Sequence, residues 1–223
     1  MYETALLLGA SGGIGQALLA ALETAGARVT GLSRADGLDW ATPKVAEHLL
    51  ATCGGPFDLV FDATGALQIG DHQPEKKLAS IDADAMADQF KVNSIGPALI
   101  FKYYESLLPR DRASVIATLS ARVGSIGDNG LGGWISYRAS KAALNQVVRT
   151  AAIEIARKRP KAVCVALHPG TVRTRLSTPI TGPDSPGTLS TDEAAKRLLR
   201  VLSELRPADT GSFFAYDGSQ IPW

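Results

Sequence analysis

Tyr137 and Lys141 stand four residues apart, so on a helix they share one face, one turn from each other. A phenol with an ammonium group beside it is a pair suited to proton transfer. A second group of residues speaks of phosphate. Gly9, Gly13 and Gly15 follow the apolar run of residues 5–8 and precede a helical stripe of Leu18, Ala21, Leu22 and Ala25. Strand, glycine turn and helix together aim backbone N–H groups and a helix N-terminus at an anion. The G-x3-G-x-G spacing differs from the G-x-G-x-x-G dinucleotide fingerprint, and a tight turn without a ligand is the competing reading.

These residues need a scaffold. Residues 28–33 read as a second strand ending at Arg34, whose guanidinium fork suits a ribose 2′-phosphate; Asp36 follows two positions later, and an ordinary solvated arginine is the alternative. Residues 37–40 read as a short third strand, followed by a weak helix through Val45, Leu49 and Leu50. A fourth strand, 57–62, runs into Ala63-Thr64-Gly65, where backbone can again approach a ligand. Residues 66–80 are polar loop. The stretch 82–108 is helical in pattern, with Asn93 inside it, where an amide competes with the backbone ladder. Residues 114–119 form a fifth strand, ending at Ser120, and a glycine-rich loop leads to Ser136, a cap for a helix over 137–157. A sixth strand, 162–167, stops at His168-Pro169-Gly170. Twelve of the fifteen residues in 177–191 are Ser, Thr, Pro or Gly, the composition of a mobile loop. Ser190 to Glu193 fits a capping box, and residues 212–216 make the last strand. Strands alternating with helices imply one doubly wound α/β domain over residues 1–223, with a mainly parallel seven-stranded sheet.

Composition narrows the function. The 223 residues are 45% hydrophobic with a formal net charge of +1, which gives no support for a nucleic-acid or acidic-membrane partner. Two cysteines, Cys53 and Cys164, do not make a disulfide framework. The apolar start is short and lacks a basic leader, so it is not read as a signal peptide. A cytoplasmic protein without a membrane span or a metal site is expected.

The ordered motifs resemble those of the single-domain short-chain dehydrogenase/reductase family over nearly the whole chain. Gly9-Ala10-Ser11-Gly12-Gly13-Ile14-Gly15 matches its glycine loop. Asp62-Ala63-Thr64-Gly65 stands where the family usually has Asn-Asn-Ala-Gly. Asn93, Tyr137 and Lys141 match three of its four catalytic positions, and residues 169–174 match its nicotinamide loop. The Gly-Ser-Ile, Gly-Gly-Trp and Tyr-Arg-Ala-Ser-Lys segments look closest to the C-factor and sniffer-type carbonyl reductase branch. One departure concerns the catalytic serine. The family usually has two adjacent serines, the second functional; here the pair is Ser120-Ala121. Ser120 is the candidate, with Ser125 as another and no serine as the third possibility.

The resemblance implies a fold of the Rossmann type and hydride transfer between a nicotinamide cofactor, NADP(H) in preference to NAD(H), and a carbonyl or secondary alcohol. It assigns Tyr137 the proton, with a pKa lowered by Lys141; Lys141 also holds the nicotinamide ribose, Asn93 positions a water, and a serine polarises the carbonyl. The residues it places around the cofactor are Gly9, Ser11, Gly12, Gly13, Ile14, Gly15, Ser33, Arg34, Asp39, Trp40, Ala63, Thr64, Gly65, Asn93, Tyr137, Lys141, Pro169, Gly170, Val172 and Thr174. It further implies a homodimer or homotetramer paired through the helices at 93–108 and 137–157, and a substrate loop around 175–191. The alternative is a nucleotide-binding signalling protein with little catalysis. A sugar-nucleotide epimerase would need a larger substrate domain.

Overall fold

Four strands are buried along almost their entire length: β1 (Thr4–Leu8), β3 (Leu59–Asp62), β4 (Ser114–Leu119) and β5 (Ala162–His168). Their sequences are short unbroken apolar runs, the signature of parallel strands covered on both faces. In the computed structural model, which describes residues 2–178, 182 and 186–223, they form the middle of a six-stranded sheet. Its order is β2-β1-β3-β4-β5-β6, with every pair parallel. β2 (Arg28–Leu32) and β6 (Phe213–Ala215) are the edges.

Alternate residues of each strand feed two separate cores. Leu6, Leu8, Val60, Ile116, Cys164 and Ala166 pack under α2 (Pro43–Thr52), α4 (Gly96–Lys102), α5 (Tyr104–Leu107) and α6 (Ile135–Lys158). Ala5, Leu7, Leu59, Phe61, Val115 and Val163 pack under α1 (Gly13–Thr24) and α7 (Thr191–Glu204). β1 and β3 are neighbours whose onward connections run in opposite directions. Their carboxyl ends therefore flank the crevice where doubly wound sheets bind ligands.

The sheet has six strands, one fewer than expected. Residues 37–40 are not a strand: Gly37, at φ 96°, closes a 3-10 turn (Arg34–Asp36), and Leu38 and Trp40 insert into the core without pairing. The long helix expected over 82–108 is broken into α3 (Ala83–Phe90), a π-helical turn (Lys91–Ile95), α4 and α5. Pro97 explains the break, because it has no N–H to give the carbonyl of Asn93 four residues back. Ser136 does not cap α6; the helix starts one residue earlier, with Trp134 at the cap position. Ser190 does cap α7, its Oγ accepting from Glu193 N–H at 3.1 Å. The expected loop around 175–191 lies partly outside the described residues. No described helix is long and apolar enough to cross a membrane.

Candidate active site

The turn after β1 is built so that side chains would obstruct it. Gly9 has φ 80°, and a methyl group there would lie 2.9 Å from the carbonyl carbon of Ala63. A methyl at Gly15 would collide with the Gly9 carbonyl. Gly9 and Ala10 donate their N–H groups to Leu32 O at 2.8 and 3.1 Å, which binds the turn to β2. Beyond it, α1 starts with no side-chain cap and no acidic residue in its first turn. Exposed Ser11 and Gly12 leave that helix end open to an anion. The chemistry of this exposed helix end, with backbone N–H groups and no acidic side chain, suits the pyrophosphate of a dinucleotide cofactor. The 169–174 loop arrives on the other side: a methyl at Gly13 would sit 3.1 Å from Thr174 Cγ2. Gly170, at φ 81°, packs against the ring of Tyr216, and Val172 is buried.

Lys141 lies between the ends of β3 and β4. Its Nζ donates to Leu119 O at 2.9 Å, and a methyl at Gly65 would come within 3.2 Å of Nζ and 3.1 Å of Asn93 Oδ1. Burial lowers the Lys141 pKa to about 8, and the charge of Asp62 opposes the drop. Tyr137, one turn earlier on the same face, is buried, and its hydroxyl has no hydrogen-bond partner among the described residues. Burial pushes its phenol well above the ordinary value. The lowering expected from Lys141 is thus not found in the chain alone, because the ammonium is turned to Leu119 O.

Asp62 ties the crevice together. Its Oδ1 accepts from Thr64 N–H at 2.9 Å and Thr64 Oγ1 at 2.6 Å, and its Oδ2 accepts from Thr118 Oγ1 at 2.7 Å. Burial pushes this carboxyl up, against those hydrogen bonds and the charge of Lys141. Trp40 Nε1 donates to Thr64 Oγ1 at 3.1 Å, and the indole packs on Gly96, where a methyl would collide with the ring. Asn93 sits in the π-helical turn with its amide bonded to its neighbours. Oδ1 accepts from Ala66 N–H at 2.9 Å, while Nδ2 donates to Ala66 O at 2.8 Å and to Gln89 Oε1 at 2.6 Å. Its side chain therefore braces the loop after β3.

Both candidate serines point elsewhere. Ser120 Oγ is buried and donates to Asn145 Oδ1 at 2.6 Å; Ser125 Oγ donates to Pro222 O. Farther out, Ser33 donates to Asp36 Oδ2 through Oγ at 2.7 Å and N–H at 2.9 Å. That engages Asp36 locally, and Arg34 beside it is exposed, with no ion pair among the described residues. Asp39 Oδ1 accepts from Ala41 N–H in a turn.

A family model described as enoyl-(acyl carrier protein) reductase matches residues 41–221. The chain belongs to the short-chain dehydrogenase/reductase family. It is an NAD(P)-dependent enzyme of that family. It is 34% identical over 175 residues to the C-signal protein of Myxococcus xanthus, a match spanning 77% of this chain and 95% of that one. A short-chain dehydrogenase/reductase from Burkholderia multivorans, solved with bound NADP, superposes over 100% of both chains with a TM-score of 0.79 and 28% identity. The carbonyl reductase Sniffer of D. melanogaster shares the fold over 100% of both chains, with a TM-score of 0.78 at 20% identity.

Three residues of this site escaped the sequence reading. Asn145 follows Tyr137 and Lys141 at the same four-residue step, and Gln89 precedes Asn93 by four, so helical spacing could have found both. Glu75 carries no such signal; an acid in a polar loop reads as solvated.

Proposed function

We propose that this enzyme reduces a carbonyl substrate with NADPH and that Tyr137 donates the proton. The observation that carries the reading is the meeting of Lys141 and Gly65 at the carboxyl ends of β3 and β4, beside the glycine turn, with buried Tyr137 one helical turn from Lys141. A bound nicotinamide cofactor supplies the hydride. Tyr137, with its pKa raised by burial, holds its proton throughout the neutral range, which suits an acid more than a base. Lys141, whose Nζ lies on Leu119 O, would hold the cofactor's ribose and place its charge toward the phenol. Arg34 accounts for the cofactor preference: it is exposed at the end of β2, while Asp36 is engaged by Ser33. The NADP held by the Burkholderia multivorans relative supports the same choice.

The same reading assigns a small-molecule substrate and a homodimer or homotetramer. Phe101, Tyr104, Val147, Ala151 and Ile155 line a groove of about 390 Å³ between α4, α5 and α6, the surface such pairing would cover. Oxidation of NADPH and of NADH against a panel of aldehydes, ketones and quinones tests the activity. A second reading, nucleotide-linked signalling with little turnover, draws on the likeness to C-signal and on the engaged hydroxyl of Ser120. Tight NADPH binding with no turnover across the panel would favour it.

A further inference from the structure

Helix α6 begins without a cap of its own. Trp134, before its first residue, is left-handed at φ 51° and ψ 45° and makes no side-chain cap. A tryptophan pays a steric penalty there, and the first N–H groups of any helix lack intrahelical partners. One residue of a distant loop meets both needs. Glu75 accepts from Trp134 N–H through its backbone carbonyl. Its carboxylate accepts from Ser136 N–H at 3.3 Å and from Ser136 Oγ. The Glu75 side chain is buried, and Tyr137 is the next residue after Ser136. The Trp134 ring meets the Tyr137 ring edge-on at 6.4 Å. Glu75 closes a segment that is fixed at its other end too, where Asn93 grips Ala66 and Gln89 Nε2 donates to Leu67 O at 2.8 Å.

We propose that Glu75 is a positioning residue for Tyr137, capping the catalytic helix from a separate loop and fixing the rotation of its first turn. Tyr137 is the third residue of α6, within the turn that frays when a helix end is uncapped. A carboxylate at that end also complements the helix dipole. A displacement of about 1 Å in a reacting group costs roughly a hundredfold in rate, so a loose first turn would reach the chemistry directly. The proposal rests on the reading of Tyr137 as proton donor.

The test uses the full chain carrying Glu75→Ala, Glu75→Gln, Ser136→Ala and the Glu75→Ala/Ser136→Ala pair, with Tyr137→Phe as reference. Hydrogen–deuterium exchange needs no substrate: Glu75→Ala should speed exchange at residues 135–138 about tenfold or more and leave residues 145–155 unchanged. With the best substrate of the panel, kcat should fall tenfold or more in Glu75→Ala, with NADPH affinity near wild type and a melting temperature lowered by only a few degrees, the scale of one lost helix cap. Glu75→Gln, which keeps one acceptor, should recover part of the loss. The double variant should be no slower than Glu75→Ala alone. Unchanged exchange at 135–138, a loss confined to NADPH affinity, or effects that multiply in the double variant would each overturn the proposal. An inactive Tyr137→Phe alongside a fully active Glu75→Ala would remove this inference only. An active Tyr137→Phe would remove the reading beneath it.

Discussion

Ser120 gives its hydroxyl proton to Asn145 Oδ1 at 2.6 Å, inside the protein and on the α6 side of the sheet. A hydroxyl so engaged cannot polarise a substrate carbonyl without abandoning its partner, and Asn145 in turn donates through Nδ2 to Gly124 O at 3.2 Å. Ser120→Ala is therefore expected to cost about 1–3 kcal/mol of stability, the range for a buried acceptor left unpaired. Turnover should stay within a few-fold of wild type. A loss of about a hundredfold, the scale of one oxyanion donor, would return the polarising role to Ser120.

Tyr137 and Lys141 should fail differently. Tyr137→Phe keeps the ring and its packing against Trp134 but has no proton to give, so turnover should collapse while NADPH affinity holds. Lys141→Ala removes a charge and a hydrogen-bond donor at the crevice, so turnover and NADPH affinity should fall together. Steady-state kinetics with fluorescence titration of the cofactor separates the two patterns; identical patterns would contradict the division of roles.

Arg34 is exposed at the end of β2, where the proposed ribose phosphate would lie. Arg34→Ala should weaken NADPH binding by about 1.5–3 kcal/mol, the scale of a charge-assisted contact, and leave NADH binding nearly unchanged. Equal wild-type affinity for the two cofactors would count against this assignment.

Lys141 gives a pH dependence with a definite sign. Its pKa is near 8 in the folded protein, against 10.5 in the free side chain. Activity that needs its ammonium should decline as pH rises through about 8. Between about pH 8 and 10.5 the unfolded chain binds the proton that the folded protein has released, so this group makes stability rise with pH across that window. Because the Asp62 charge raises the Lys141 pKa, Asp62→Asn should move the alkaline limb of kcat/KM to lower pH. A limb that stays or moves upward would refute the coupling.

The sheet could be read from sequence because its central strands are short apolar runs with clear stops. The motifs at its carboxyl ends then located the crevice. What stayed hidden depends on contacts between distant residues. Leu38 and Trp40 alternate with Gly37 and Asp39 as in a strand, yet both are drawn into the core from a capped turn. Ser136 precedes a helical stripe as a cap would, but its partner is Glu75, 61 residues away. Hydrophobic period does not reveal that the helix breaks near Asn93; Pro97, compatible with the first turn of a new helix, is the residue in the sequence that signals it. The same limit hid the fate of the serine: residue type marked Ser120 as a donor, and only the packed structure showed where the donor points.

The seat of Trp40 on Gly96 joins two positions that are far apart in the chain. Any side chain at 96, even alanine, would displace the indole and with it the hydrogen bond to Thr64. In this packing, size at the two positions trades off: bulk gained at 96 needs bulk lost at 40. The floor of the crevice can thus be rebuilt only by paired exchange, and a designer resizing it would have to change both residues in one step.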